Sequence, residues 1–170
     1  MMELGAYYKY QSIASWLARD DIALPGLASY YYATAVGEQG HAKKLIDYMA
    51  IRGGKVTYHE IGAVPTEWES ARKVLATSLQ IEQDVNASLL RVHEVATQEN
   101  DPAFADFIEG EFLRSQNEQI KRAADLLTQL ERCGNEGLGL YLFDKEFQKK
   151  QHYDSVSDSG DSDEDGGHGY

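Results

Sequence analysis

The stretch from Gly53 to Pro65 limits the topology of this chain more than any other feature. Its thirteen residues reach roughly 43 Å when extended, close to the roughly 40 Å length of a 27-residue helix. A connection of that reach can cross a whole bundle. The helices on either side can then run parallel, each paired antiparallel with a helix adjacent in sequence. Punctuation along the chain supplies those helices. A first helix over about residues 1 to 18, truncated at its start, gives way to a turn at Arg19-Asp20-Asp21. Pro25 suits the first position of a second helix that stops at Gly53-Gly54. Thr66-x-x-Glu69 has the form of a capping box for a third helix ending near Gln98, and Asp101-Pro102 opens a fourth that ends near Cys133-Gly134. After Gly137, Leu138 to about Lys149 is amphipathic again. The expected fold is all-α: a four-helix bundle with one long crossover plus a short fifth C-terminal helix.

Each of the four long helices carries an apolar seam stepping by three or four residues, and each seam is interrupted by a polar group. The seams read Glu3, Tyr7, Tyr10, Ile13, Leu17; Leu27, Tyr31, Thr34, Glu38, His41, Leu45, Tyr48; Leu75, Leu79, Glu82, Val85, Leu89; and Leu113, Gln116, Ile120, Ala123, Leu127. With the second and third helices starting at one end and the fourth at the other, Glu38, Glu82 and Gln116 converge near mid-bundle. Burying several ionised carboxylates at one level costs several kcal/mol each unless a charge compensates them, and a cation does so. Hard carboxylate oxygens with one imidazole suit iron or manganese. Glu38 is the natural bridge, giving one metal Glu3, Glu38 and His41 and the other Glu38, Glu82 and Gln116. The second position is the weaker, because residues 116 to 119 read Gln-Asn-Glu-Gln where many di-iron bundles supply a second Glu-x-x-His. A metal held there leaves more readily than one held at the first position.

The formal charge is -12, which argues against a nucleic-acid footprint and for attraction of cations. No apolar run reaches the roughly 18 residues of a membrane span, and the chain reads as a soluble, cytoplasmic one. The single Cys133 forms no internal disulfide and is read as a packing residue. His59, His93, His152 and His168 have no partner at ligand spacing and are read as surface or packing residues. Two regions are expected: a helical domain over 1-152 and an acidic Ser/Gly tail over 153-170, too poor in apolar residues to fold.

With crossover, fifth helix and ligands in place, the chain resembles ferritin, of the catalytic heavy-chain-like type of animal ferritins. The resemblance spans about residues 3 to 150. It is carried by Arg19-Asp20-Asp21, His41-Ala42-x-Lys44-Leu45, Arg52-Gly53-Gly54, Asp106-Phe107-Ile108-Glu109 and Tyr141-Leu142-Phe143-Asp144-Lys145. It implies a hollow 24-subunit cage, a homo- or hetero-oligomer of ferritin subunits. Such a cage oxidises Fe(II) with dioxygen or peroxide at a di-iron centre and stores the ferric mineral. Tyr10 matches the family's tyrosine beside that centre. Asp106 and Glu109 match the acidic pair of the threefold channels, and Leu138, Leu142 and Glu146 match positions around the fourfold axis, where heavy chains often have histidine in place of Glu146.

Three departures from the family bear on function. The chain begins about two dozen residues late, which puts Glu3 on a helix end expected to fray. Gly37, Gly40 and Lys43 stand where heavy chains carry cavity-facing acids that nucleate mineral. The acidic tail is a substitute for those acids if it enters the cavity, and otherwise a solubilising segment or phosphorylation target. The leading expectation is an iron-storage subunit with ferroxidase activity. The alternative is a catalytically weak structural subunit co-assembling with intact heavy chains. A di-iron or di-manganese oxidoreductase ranks third, disfavoured by the missing second Glu-x-x-His.

Overall fold

A computed structural model describes the backbone of residues 2–157 and the side chains of residues 2–149. Its elements are α1 (Met2–Leu17), α2 (Pro25–Ile51), α3 (Ala71–Gln98), α4 (Pro102–Ile108), a π-helical turn (Glu109–Leu113), α5 (Arg114–Cys133) and α6 (Gly137–Ser157). There is no strand among the described residues. α1 packs on α2, α3 packs on α4 and α5, α1 also meets α3, and α6 lies against α2 and α5. The core takes Tyr10, Ile13, Leu17, Leu27, Tyr31 and Leu75 from the expected seams and adds Val74, Ile108, Phe112 and Leu130, all fully or almost fully buried, while Leu79, Leu113, Ile120 and Leu127 of those seams are only partly buried. Each side chain of this size contributes about 1.5–3 kcal/mol on burial, so the seams hold the helices together.

The crossover behaves as its length implies. At its start Lys55, Val56, Thr57 and Tyr58 share a pocket with Glu3 and Leu4 of α1 and with Leu45 and Met49 of α2. At its end the Ser12 hydroxyl donates to the Pro65 carbonyl. There Trp68 Nε1 also donates to Ser12 Oγ at 3.2 Å and Trp16 Nε1 to Glu67 at 3.1 Å. The segment therefore runs the length of α1, and α3 starts at the end where α2 starts.

Helix boundaries differ from expectation in three places. α3 begins at Ala71, five residues after Thr66, because Trp68 is buried against the bundle and Glu67 is held by Trp16 and Arg19. Glu69 then turns through a left-handed conformation at φ 60°. The cap is Ser70, whose hydroxyl accepts from Lys73 N at 3.1 Å, not the Thr66–Glu69 box. The fourth helix is interrupted by the π-helical turn, which inserts one extra residue and rotates α5 relative to α4. The last helix is longer than the short one expected, 21 residues, and takes in the first residues of the acidic segment. The rest of that segment, including the proposed cavity role and His168, lies outside the described residues.

α6 is anchored by Phe143 and Phe147, both buried in the core, and by a hydrogen bond to α2. Leu24, at the N-cap of α2, offers no side-chain acceptor. The buried Asp144 of α6 supplies one, its Oδ1 accepting from Leu27 N at 2.8 Å. That approach requires glycine at position 26, where a Cβ would lie 2.1 Å from the Asp144 carbonyl oxygen.

Candidate metal centre

The seam polar groups all point inward: Glu3, Glu38 and Gln116 are 3% exposed and Glu82 is 4% exposed. Glu3, expected on a frayed end, sits in the first turn of α1 yet is buried, because α2 covers it. Ligand atoms of Glu3, Glu38 and His41 lie within 4.8 Å of one another. Glu38 and His41, one turn apart on α2, are 3.7 Å apart between Oε2 and Nδ1. The His41 ring stands edge-on to Phe112, 5.7 Å between centroids, which sets the plane of the imidazole. Phe112 comes from the π-helical turn, so the irregularity in the fourth helix reaches the centre through this contact.

Glu82 and Gln116 form the second half of the cluster. Gln116 Nε2 donates to Glu82 Oε2 at 2.7 Å and to the Glu82 carbonyl at 3.2 Å. The Tyr10 hydroxyl donates to the other carboxylate oxygen, Oε1. Ser78 Oγ lies 3.4 Å from the same hydroxyl. Sequence reasoning missed Ser78, although it lies one turn before Glu82 on the same seam and the spacing would have found it.

Electrostatics show what the cluster lacks. Burial, then a hydrogen bond to Glu38 and the charges of Glu38 and Glu82, push the Glu3 carboxyl up to about 8. Burial also raises Glu82, against the opposing pull of the Tyr10 hydrogen bond. Burial and the Glu82 charge raise the Tyr10 phenol, so it stays a proton donor. Glu3 Oε2 and Glu38 Oε2 are buried with no hydrogen-bond partner. An orphaned buried acceptor costs about 1–3 kcal/mol, and two of them on adjacent carboxylates, beside an imidazole nitrogen, fit a bound divalent cation. Iron would be held by Glu3, Glu38 and His41, with Glu38 turned also toward the Glu82–Gln116 half.

The remaining predicted residues fall elsewhere. Asp106 and Glu109 are exposed on the outer face of the fourth helix, the latter at the start of the π-helical turn. His93, read as having no partner, does have one: its Nε2 is 2.6 Å from Glu109 Oε1. The two are on different helices, so local spacing carried no sign of it. Gly37 and Gly40 are exposed, and a Cβ at either would meet nothing within 4 Å. Lys43 pairs with Asp47. Leu138 and Leu142 are exposed on α6, and Glu146 pairs with Lys149 at 3.0 Å. Cys133 is exposed. Among the described residues no helix is long and apolar enough to cross a membrane.

Known proteins resemble this chain over most of its length. A family model described as a ferritin-like domain matches residues 1–133. A ferritin heavy chain of Echinococcus granulosus is 44% identical over 146 residues, covering 85% of this chain and 84% of the relative. A ferritin-2 heavy chain of Schistosoma mansoni is 45% identical over 145 residues, covering 85% and 84%. The soma ferritin of Lymnaea stagnalis is 42% identical over 146 residues, covering 85% and 83%.

Proposed function

Since the chain belongs to the ferritin family, whose iron-binding storage role it shares, we propose that it is a ferroxidase subunit. It oxidises Fe(II) to Fe(III) at a di-iron centre formed by Glu3, Glu38, His41, Glu82 and Gln116. It delivers the ferric product into a 24-subunit cage. The observation that carries this reading is the pair of buried, partnerless oxygens on Glu3 and Glu38, a defect that a ferrous ion between them removes. Deprotonation of Glu3 accompanies loading, since its carboxyl holds a proton up to about pH 8 in the metal-free cluster.

The chain's residues divide the work. Glu3, Glu38 and His41 give one ion three ligands, two of them anionic. Glu82, a share in Glu38 and the neutral amide of Gln116 would hold the other, and because an amide oxygen is a poorer donor than the His41 imidazole, the second ion is held more weakly. Each ion surrenders one electron, and dioxygen takes both with two protons to form hydrogen peroxide. The hydrogen bond from Tyr10 fixes the Glu82 carboxylate and puts a phenolic proton at the site. Asp106 and Glu109, three copies of each around a channel in the cage, draw Fe(II) inward.

Aerobic addition of Fe(II) to the assembled protein tests the proposal. Oxidation faster than in buffer, and lost in Glu38→Ala with assembly retained, is the expected result. No acceleration over buffer would instead support a structural subunit that co-assembles with catalytic chains.

A further inference from the structure

The metal cluster is reached from one face of the bundle through a cleft of about 220 Å³ between α2 and α5. Glu38, His41, Ser78 and Glu82 form its floor, and Thr34, Gly37, Gln119 and Arg122 form its rim. Gly37 contributes no side chain there, and a Cβ would meet nothing within 4 Å, so the α2 side of the rim is open. The α5 side is not. Arg122 extends over the Tyr30 ring, its Cζ 5.0 Å from the ring centroid, and Tyr30 is itself held edge-on by Tyr31 and by Phe147 of α6. A guanidinium stays charged at any pH at which the protein folds, and an aromatic platform of this kind gives it a preferred seat.

The other cations on this face are neutralised. Lys121 pairs with Asp125, and Lys149 pairs with Glu146 at 3.0 Å. Glu118, one turn before Arg122, is exposed and makes no ion pair among the described residues. Arg122 likewise has no carboxylate within salt-bridge distance among the described residues. Among the described residues, Arg122 is thus the only lysine or arginine lining a cleft whose floor is made of cation ligands.

We propose that Arg122, seated on Tyr30, is the gate of the α2–α5 cleft and sets how fast cations pass between the buried carboxylates and the bundle surface. The inference rests on the metal-centre reading above and adds to it a residue that touches no metal. Its physical basis is like-charge repulsion at the mouth of the cleft. An ion passing the guanidinium is closer to it than an ion bound on the floor, so the charge raises the barrier more than it weakens the bound state. Both loading and release through the cleft are slowed, and equilibrium affinity changes little. A trivalent product is retarded more than a divalent substrate, so the gate lengthens the stay of the oxidised ion.

Terbium(III), a redox-inactive trivalent probe whose emission is excited through nearby tyrosines, tests this on the full-length assembled protein. The signal of interest is the part abolished by Glu38→Ala. In Arg122→Gln, that part should load and release on the order of tenfold faster, with a dissociation constant altered much less than either rate. Arg122→Lys, which keeps the charge, should resemble the parent. Added salt should speed exchange in the parent and lose most of that effect in Arg122→Gln. Unchanged rates in Arg122→Gln, or a change in affinity without faster exchange, would overturn the gate while leaving the metal centre intact. A terbium signal indifferent to Glu38→Ala would overturn the metal-centre reading and the gate with it.

Discussion

Asp144 caps the helix that carries Glu38 and His41: its carboxylate accepts from Leu27 N at 2.8 Å, across 117 positions of sequence. The same approach brings the Asp144 backbone over Gly26, so one residue both caps α2 and docks α6 on it. Replacing a capping acceptor by alanine costs about 0.5–2 kcal/mol, and Asp144→Ala should lower stability by that order. Gly26→Ala should do more damage, because its Cβ cannot coexist with the Asp144 carbonyl and α6 must move. Thermal unfolding together with the sedimentation of the assembled particle reads both effects. Loss of assembly in Gly26→Ala with α2 still helical is the expected signature.

The metal-free protein should weaken as pH rises. Glu3 titrates at about 8 in the fold against 4.5 ordinarily. Between these values the folded state keeps a proton that the unfolded chain has released. Stability is therefore fully present below pH 4.5 and falls through the window by up to about 1.4 kcal/mol per pH unit. The loss is complete above pH 8. Denaturant midpoints of chelator-treated protein across this range should show the decline, and Glu3→Gln should flatten it. A bound divalent ion should reverse the slope, since it requires the carboxylate form.

Gly37 and Gly40 are helical, exposed and unobstructed, so they hold no conformation that only glycine can adopt. Alanine at either should stabilise the protein by up to about 1 kcal/mol, measured by denaturant unfolding. Glutamate at both should accelerate growth of the ferric core, followed by absorbance after oxidation is complete. No gain in core growth would show that nucleation does not take place on this face.

Tyr10 and Gln116 both hold Glu82, one by O–H and one by N–H. Tyr10→Phe should slow oxidation while leaving metal binding within about tenfold, since the ligand set is intact and only one hydrogen bond of about 0.5–1.5 kcal/mol is lost. Gln116→Glu should act in the opposite sense on binding: a second anionic ligand holds the weaker ion more tightly and slows turnover after the first cycle. Calorimetric titration with Zn(II) and multi-turnover oxidation separate the two effects.

The inward direction of Glu3, Glu38, Glu82 and Gln116 was legible in the chain because helical periodicity is local: a residue three or four positions from a buried neighbour shares its face. The crossover was legible for a similar reason, since contour length bounds what a connection can span. The start of α3 was not. Thr66 and Glu69 had the right spacing for a cap, but the burial of Trp68 and the holding of Glu67 by Trp16 and Arg19 delay the helix, and those contacts come from α1. The π-helical turn was hidden as well, because Glu109–Leu113 keeps the helical pattern of its neighbours and the contact of Phe112 with His41 comes from another helix.

Sequence by itself determined the bundle and the inward direction of its polar residues, because both rest on spacing along one chain, and it determined the family through the resemblance of particular stretches. Only the tertiary structure decided that Glu3 is buried, that Glu3 and Glu38 keep oxygens without partners, that His93 finds Glu109, and that Arg122 overlooks the cleft. Each of these depends on which side chains arrive from other helices, and burial and charge at a point in space are set by every element that surrounds it.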